Sequence, residues 1–151
     1  MPPLRPLNRA NTETTAEKVT AIQRKYLTLS ELKAALRAQM FTGEDKLDTI
    51  IKAGTASDLM SDMLTGQNSG VVLLTGLCNV QSIRTSVISD VAAVVLVRGK
   101  RPTPEMIDQA RQHGLPLLCT PFTMFTSCGR LSARGLWGVE EKSLPRSGIT
   151  P

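Results

Sequence analysis

Three short apolar runs in the second half of the chain narrow its fold more than any other feature. Residues 71–75 read Val-Val-Leu-Leu-Thr, 91–97 read Val-Ala-Ala-Val-Val-Leu-Val, and 115–119 read Leu-Pro-Leu-Leu-Cys. Runs this short, with no alternation of polar and apolar side chains, suit strands covered on both faces. A helical stretch follows each. Asn79 caps one to about Ser89, with Val80, Ile83, Val87 and Ile88 predicted to face inward. Thr103 caps the next, where Pro104 and Glu105 suit a first helical turn and Gly114 supplies the stop. The last runs from about Phe122 to Ala133, after Pro121. Strands alternating with helices through short links imply a parallel sheet wound by right-handed crossovers. The expected fold class is α/β, a single three-layer domain with a mostly parallel sheet.

The first half carries weaker signals. Thr28 or Ser30 can cap a helix in which Leu29, Leu32 and Leu36 share a face. Residues 39–42 suit a short strand, 43–45 a turn, and 48–53, with Ile50 and Ile51, another strand. Ser57 would cap a short helix through Leu59, Met60, Met63 and Leu64, broken by the stretch from Gly66 to Gly70. The 151 residues amount to about one domain. The division expected is a flexible N-terminal tail over 1–27, an α/β domain over 28–138 and a flexible C-terminal tail over 139–151.

The net charge of +5 invites a nucleic-acid reading, but its distribution argues against one. Residues 26–129 hold nine basic and nine acidic side chains, so the excess sits at the two ends. Aromatic residues are only 3% of the chain, which leaves little for base stacking and implies an aliphatic core. No nucleic-acid partner is expected beyond weak contacts from the tails. No run of 18 apolar residues occurs, so no membrane partner is expected either. Cys78, Cys119 and Cys128 form no close pair, which argues against a disulfide framework and for a reducing cytoplasm.

In a parallel sheet, ligands gather at the carboxyl ends of the strands. Three loops would meet there, 75–79, 98–103 and 120–123. They supply the candidate ligand-binding residues Thr75, Gly76, Asn79, Arg98, Gly99, Lys100, Arg101 and Thr120. Hydroxyls, glycine backbone, three cations and several helix N-termini suit a nucleotide or other phosphate-bearing small molecule. The same residue types also serve as caps and solvated turns in any fold, and the plainer reading outweighs the bound anion.

Catalytic signals are thin. The single histidine, His113, falls beside Gly114 at a helix end, where it complements the helix dipole. Phosphate-loop and nucleophile-elbow patterns are absent. Asp58 and Asp62 have the spacing of one helix face and read as solvated surface, as do Glu105 and Gln109. The cysteines lack zinc or cluster spacing, although Cys78 and Cys119 are expected at neighbouring strand ends, where they could approach one another. No catalytic residue and no metal site is assigned.

The segments Leu73-Leu74-Thr75-Gly76, Val97-Arg98-Gly99-Lys100-Arg101-Pro102, Leu115-Pro116-Leu117-Leu118 and Thr120-Pro121-Phe122-Thr123-Met124-Phe125 resemble the DRTGG domain. Upstream, residues 41–48 and 56–62 resemble the lead-in of a stand-alone branch found beside iron-hydrogenase and related redox systems. The resemblance covers most of 28–138, and the string Asp-Arg-Thr-Gly-Gly itself does not occur. Domains of this family look like the N-terminal domain of HPr kinase and occur fused to phosphotransacetylase or between CBS modules. The resemblance therefore implies a non-catalytic regulatory and dimer-forming unit, with a redox-enzyme or hydrogenase partner. Two other expectations stand beside it, an enzyme of phosphoryl or acyl transfer and an assembly factor for an iron-sulfur or hydrogenase system.

Overall fold

The structure is a computed structural model, and it describes residues 23–64 and 68–139. The tails expected over 1–27 and 139–151 therefore lie, for 1–22 and 140–151, outside the described residues. The fold begins before residue 28. Strand β1 (Leu27–Thr28) buries Leu27, and the Lys25 amide donates to the Gly135 carbonyl at 2.8 Å. Helix α1 (Leu29–Ala35) follows at once. Thr28 closes a capping box with Glu31, each side chain accepting from the other's backbone N–H. The Thr28 amide, and after it the Thr28 hydroxyl, hold the Glu31 carboxyl below the usual carboxylate range.

The remaining strands are β2 (Gln39–Thr42), β3 (Ile50–Ile51), β4 (Ala53–Ala56), β5 (Val71–Thr75), β6 (Ala93–Leu96) and β7 (Leu117–Cys119). Helices α2 (Val80–Ile88), α3 (Pro104–Gln112) and α4 (Met124–Ser132) follow β5, β6 and β7. Five strands form one sheet in the order β2-β7-β6-β5-β4. All its pairs are parallel except β2 against β7, as short βα links require for β4 to β7. The strand expected over 48–53 divides in two. Ile50–Ile51 pairs antiparallel with β1, and the chain then re-enters the main sheet at Ala53.

The central strands are buried on both faces, and their side chains sort by the two-residue period of a strand. Val72, Leu74 and Val95 face a core shared with Leu29 and Leu32 of α1, Leu36 at its C-cap and Leu131 of α4. Leu73, Val94 and Leu96 face the opposite core, with Ile83 of α2 and Met106 and Ala110 of α3. Helices thus cover both faces, and the three-layer α/β/α arrangement stands. Each fully buried Leu or Ile contributes roughly 1.5–3 kcal/mol of transfer free energy, so these two layers hold the sheet together.

Two details of the sequence reading are corrected. Ile88 is 73% exposed, and the buried face of α2 is Ser82, Ile83, Thr85 and Ser86. Small polar side chains fit this close contact because Ser82 and Ser86 return their hydroxyls to backbone carbonyls at 2.7 Å. The segment after Ser57 is a 3-10 helix, Met60–Leu64. Ser57 Oγ accepts from the Leu59 amide at 3.0 Å, and Asp58 lies outside the helix, so Asp58 and Asp62 do not share a helical face.

Candidate functional site

The carboxyl ends of β5, β6 and β7 each deliver a loop to the same edge of the sheet. Each loop ends in a helix cap. Asn79 accepts from Ser82, Thr103 from Met106, and Thr123 from Thr126, at 2.9, 3.2 and 3.2 Å. The fourth contributor was not foreseen as a site residue. Asp58, just beyond β4, accepts from Thr75 Oγ1 at 3.1 Å and from the Gly76 amide at 2.7 Å. Lys100 Nζ donates to the Gly76 carbonyl at 2.6 Å. A Cβ placed on Gly76 would stand 3.5 Å from Asp58 Oδ1 and 3.8 Å from Lys100 Nζ. Gly76 is therefore gripped on both polar groups, between a carboxylate from the β4 loop and an ammonium from the β6 loop.

The eight predicted residues divide by what holds them. Thr75 and Thr120 are fully buried and structural in geometry. Thr75 Oγ1 also accepts from the Leu77 amide at 3.1 Å, and Thr120 Oγ1 donates to the Leu36 carbonyl at 2.6 Å. Asn79 is occupied as a helix cap. Arg101 reaches away from the loop, donating from Nη2 to Gln39 Oε1 at 3.1 Å.

Arg98 and Gly99 form a tight left-handed turn, with φ of 64° and 68°, closed by the Lys100 amide onto Val97 at 3.4 Å. Positive φ at an arginine costs on the order of 1 kcal/mol, and two backbone bonds hold it there. The Arg98 amide donates to Phe122 and the Gly99 amide to Thr120, at 2.7 and 2.8 Å. The result is an exposed run of Arg98, Gly99, Lys100 and Arg101 fastened to the β7 loop.

The thiols are dispersed. Cys78 follows β5 and Cys119 ends β7, with β6 between those strands, so they do not end neighbouring strands as the sequence reading had them. Cys78 Sγ donates to the Arg101 carbonyl at 3.1 Å. Burial pushes the Cys119 thiol above its ordinary value, against a lowering influence from Arg101. Cys128 stands apart on α4. His113 caps the C-terminus of α3, as expected. Among the described residues no three His, Cys, Asp or Glu side chains group as a metal site. No helix among them is long and apolar enough to cross a membrane.

A cleft of about 540 Å³ lies beside β4, lined by Gly54, Thr55, Leu74, Cys128, Leu131 and Trp137 among others, and it includes none of the eight predicted residues. The segment ending at Gly138 runs along the outer edge of β4 there, with the Gly54 amide donating to Trp137 at 2.9 Å.

No family model and no curated protein matches the chain. Among solved structures it is similar to the crystal structure of the CBS and DRTGG domains of the regulatory region of Clostridium perfringens pyrophosphatase, complexed with its activator diadenosine tetraphosphate. The superposition has a TM-score of 0.60 at 15% identity and covers 82% of this chain and 52% of that one. The chain thus spans about half the length of that regulatory region. At this identity the likeness speaks for architecture, and the architecture of this chain is DRTGG-like.

Proposed function

We propose that this chain is a non-catalytic regulatory module of the DRTGG kind that binds a small phosphate-bearing ligand, a nucleotide being the first candidate. The observation that carries the reading is the exposed turn from Arg98 to Arg101, fastened over the carboxyl edge of the sheet. Cations and helix N-termini at one edge attract an anion, and the Asp58–Gly76–Lys100 tie couples its binding to the position of the β4 loop. The likeness to a regulatory region crystallised with a dinucleotide polyphosphate supports the choice of ligand class. We further propose a homodimer in the cytoplasm. Exposed Leu59, Leu64, Ile88 and Phe125 supply apolar surface for association. The resemblance of residues 41–48 and 56–62 to the hydrogenase-associated branch extends the proposal to a redox-enzyme partner.

Calorimetric titration of the full chain with diadenosine tetraphosphate, ATP and pyrophosphate tests the ligand reading. Saturable binding by one of them, lost when Arg98, Lys100 and Arg101 are together changed to Ala, is the expected result. Binding that survives the triple change, or no binding at all, would remove the site. Steady release of phosphate or of an acyl group from a bound compound would favour the transferase reading instead.

A further inference from the structure

The cleft of about 540 Å³ beside β4 differs in chemistry from the edge that carries the cations. Leu74, Leu131, Leu136 and the Trp137 indole give it apolar walls, and Thr55 and Cys128 add polar points to the lining. Among the described residues no charged side chain lines it. Small-molecule sites have this size and this mixture of apolar walls with a few polar groups. Trp137 is the only tryptophan of the chain and is 41% exposed. Its ring is held in place. Arg24 Cζ stands 5.7 Å from the indole and 5.5 Å from the Tyr26 ring, and Arg24 Nη2 donates to the Lys52 carbonyl at 3.3 Å. The Trp137 carbonyl accepts from the Gly54 amide.

The chain itself joins this cleft to the basic turn. Ala56 and Leu74 both line the cleft. Two residues after them stand Asp58 and Gly76, bonded to one another at 2.7 Å, with Lys100 Nζ held on the Gly76 carbonyl at 2.6 Å. Two residues span at most about 7 Å, a distance that a ribose can bridge.

We infer that the cleft receives the base ring of a nucleotide, stacked on Trp137, while its phosphates lie over Gly76 and Lys100. The inference rests on the reading of this chain as a nucleotide-binding module, and it gives the ring a site outside the eight loop residues. The two halves of the ligand differ as the two halves of the site do. A flat neutral ring suits uncharged walls and an indole face, and the phosphates suit an ammonium and a glycine backbone. An inorganic phosphate would gain nothing from the cleft, and an uncharged apolar molecule would gain nothing from Lys100. The strand adds a polar contact. β4 is the outermost strand of the sheet, and successive peptide groups of a strand alternate in direction. Exposed Ala56 therefore turns its N–H and C=O outward as Gly54 turns its own amide toward Trp137. A purine edge presents a donor and an acceptor side by side, which matches that peptide.

The test titrates the full chain with adenosine, inorganic tripolyphosphate and ATP, followed by the emission of Trp137 and by the rate at which iodoacetamide alkylates Cys128. Adenosine and ATP are expected to change the emission and to slow alkylation as they saturate, and tripolyphosphate to do neither. ATP should bind at least about 10-fold more tightly than adenosine or tripolyphosphate alone. Trp137→Leu, measured by calorimetry, should weaken adenosine and ATP roughly 10-fold and leave tripolyphosphate as it was. Adenosine without effect on emission and alkylation overturns the inference, as does a Trp137→Leu loss that falls equally on tripolyphosphate. An adenosine response that persists while ATP binds no better than adenosine would strike the phosphate site alone and uphold the cleft. Should Trp137→Leu fail to fold, Cys128→Phe fills the cleft from an exposed position on α4. It should abolish the adenosine response and spare tripolyphosphate binding, and a response that survives it overturns the inference.

Discussion

Thr120→Val tests how the carboxyl edge of the sheet is held. Thr120 is fully buried, and its hydroxyl donates to the Leu36 carbonyl at 2.6 Å, 84 residues away in sequence. Valine keeps the branched shape, so the change opens no cavity and removes only the hydroxyl. The buried carbonyl at the end of α1 then loses that donor, and the Phe122 amide loses its acceptor at 3.3 Å. Stranding a buried carbonyl costs about 1–3 kcal/mol, partly offset by the apolar methyl. With a urea dependence of about 1–3 kcal/mol per molar, the unfolding midpoint should fall by roughly 1 M. Equilibrium unfolding in urea, followed by circular dichroism, measures it. Thr42→Val is the matched control, because Thr42 is equally buried and donates to the Leu115 carbonyl at the same 2.6 Å. If neither midpoint moves, the reasoning that these hydroxyls satisfy otherwise stranded carbonyls is refuted.

Two further outcomes follow from the described contacts. Gly135→Ala adds a Cβ 2.6 Å from the Gln23 carbonyl oxygen at a φ of 91°, so it should cost about 2 kcal/mol or more and release residues 23–25 to early proteolytic cleavage. Unchanged stability and cleavage would show that this segment does not dock on Gly135. Glu31→Gln removes the charged half of the capping box. Because the folded value of Glu31 is lowered, its contribution is present above the unfolded glutamate value of about 4.3 and is lost as pH falls through the folded value. The stability gap between wild type and variant should therefore close below about pH 4 in acid urea titrations, and a gap that persists there would count against the box.

How much of the molecule was legible beforehand depends on how local each signal is. Residues 71–75 were readable because a doubly covered strand needs only an apolar run. Asn79, Thr103 and Gly114 were readable because caps act within a single turn. The three loops of the candidate site followed, since each strand must pass through its loop to reach its helix. The sequence by itself therefore determined the α/β class, the alternation of elements and the end of the sheet where loops collect.

Tertiary structure decided what depends on groups far apart in the chain. Pairing β2 antiparallel against β7 joins residues some 80 positions apart, and no local propensity encodes that neighbour. Ile88 faces out although its spacing on α2 suited the core, because the Ser82 and Ser86 hydroxyls that recapture backbone carbonyls allow a closer helix–sheet contact. Asp58 passed for helix surface until the β4 loop carried it to the Gly76 amide. The contact between Cys78 and Met106 had no spacing to betray it, since packing alone brings the two together. Local free energies choose the elements. The burial of two apolar layers at once chooses which side chains meet.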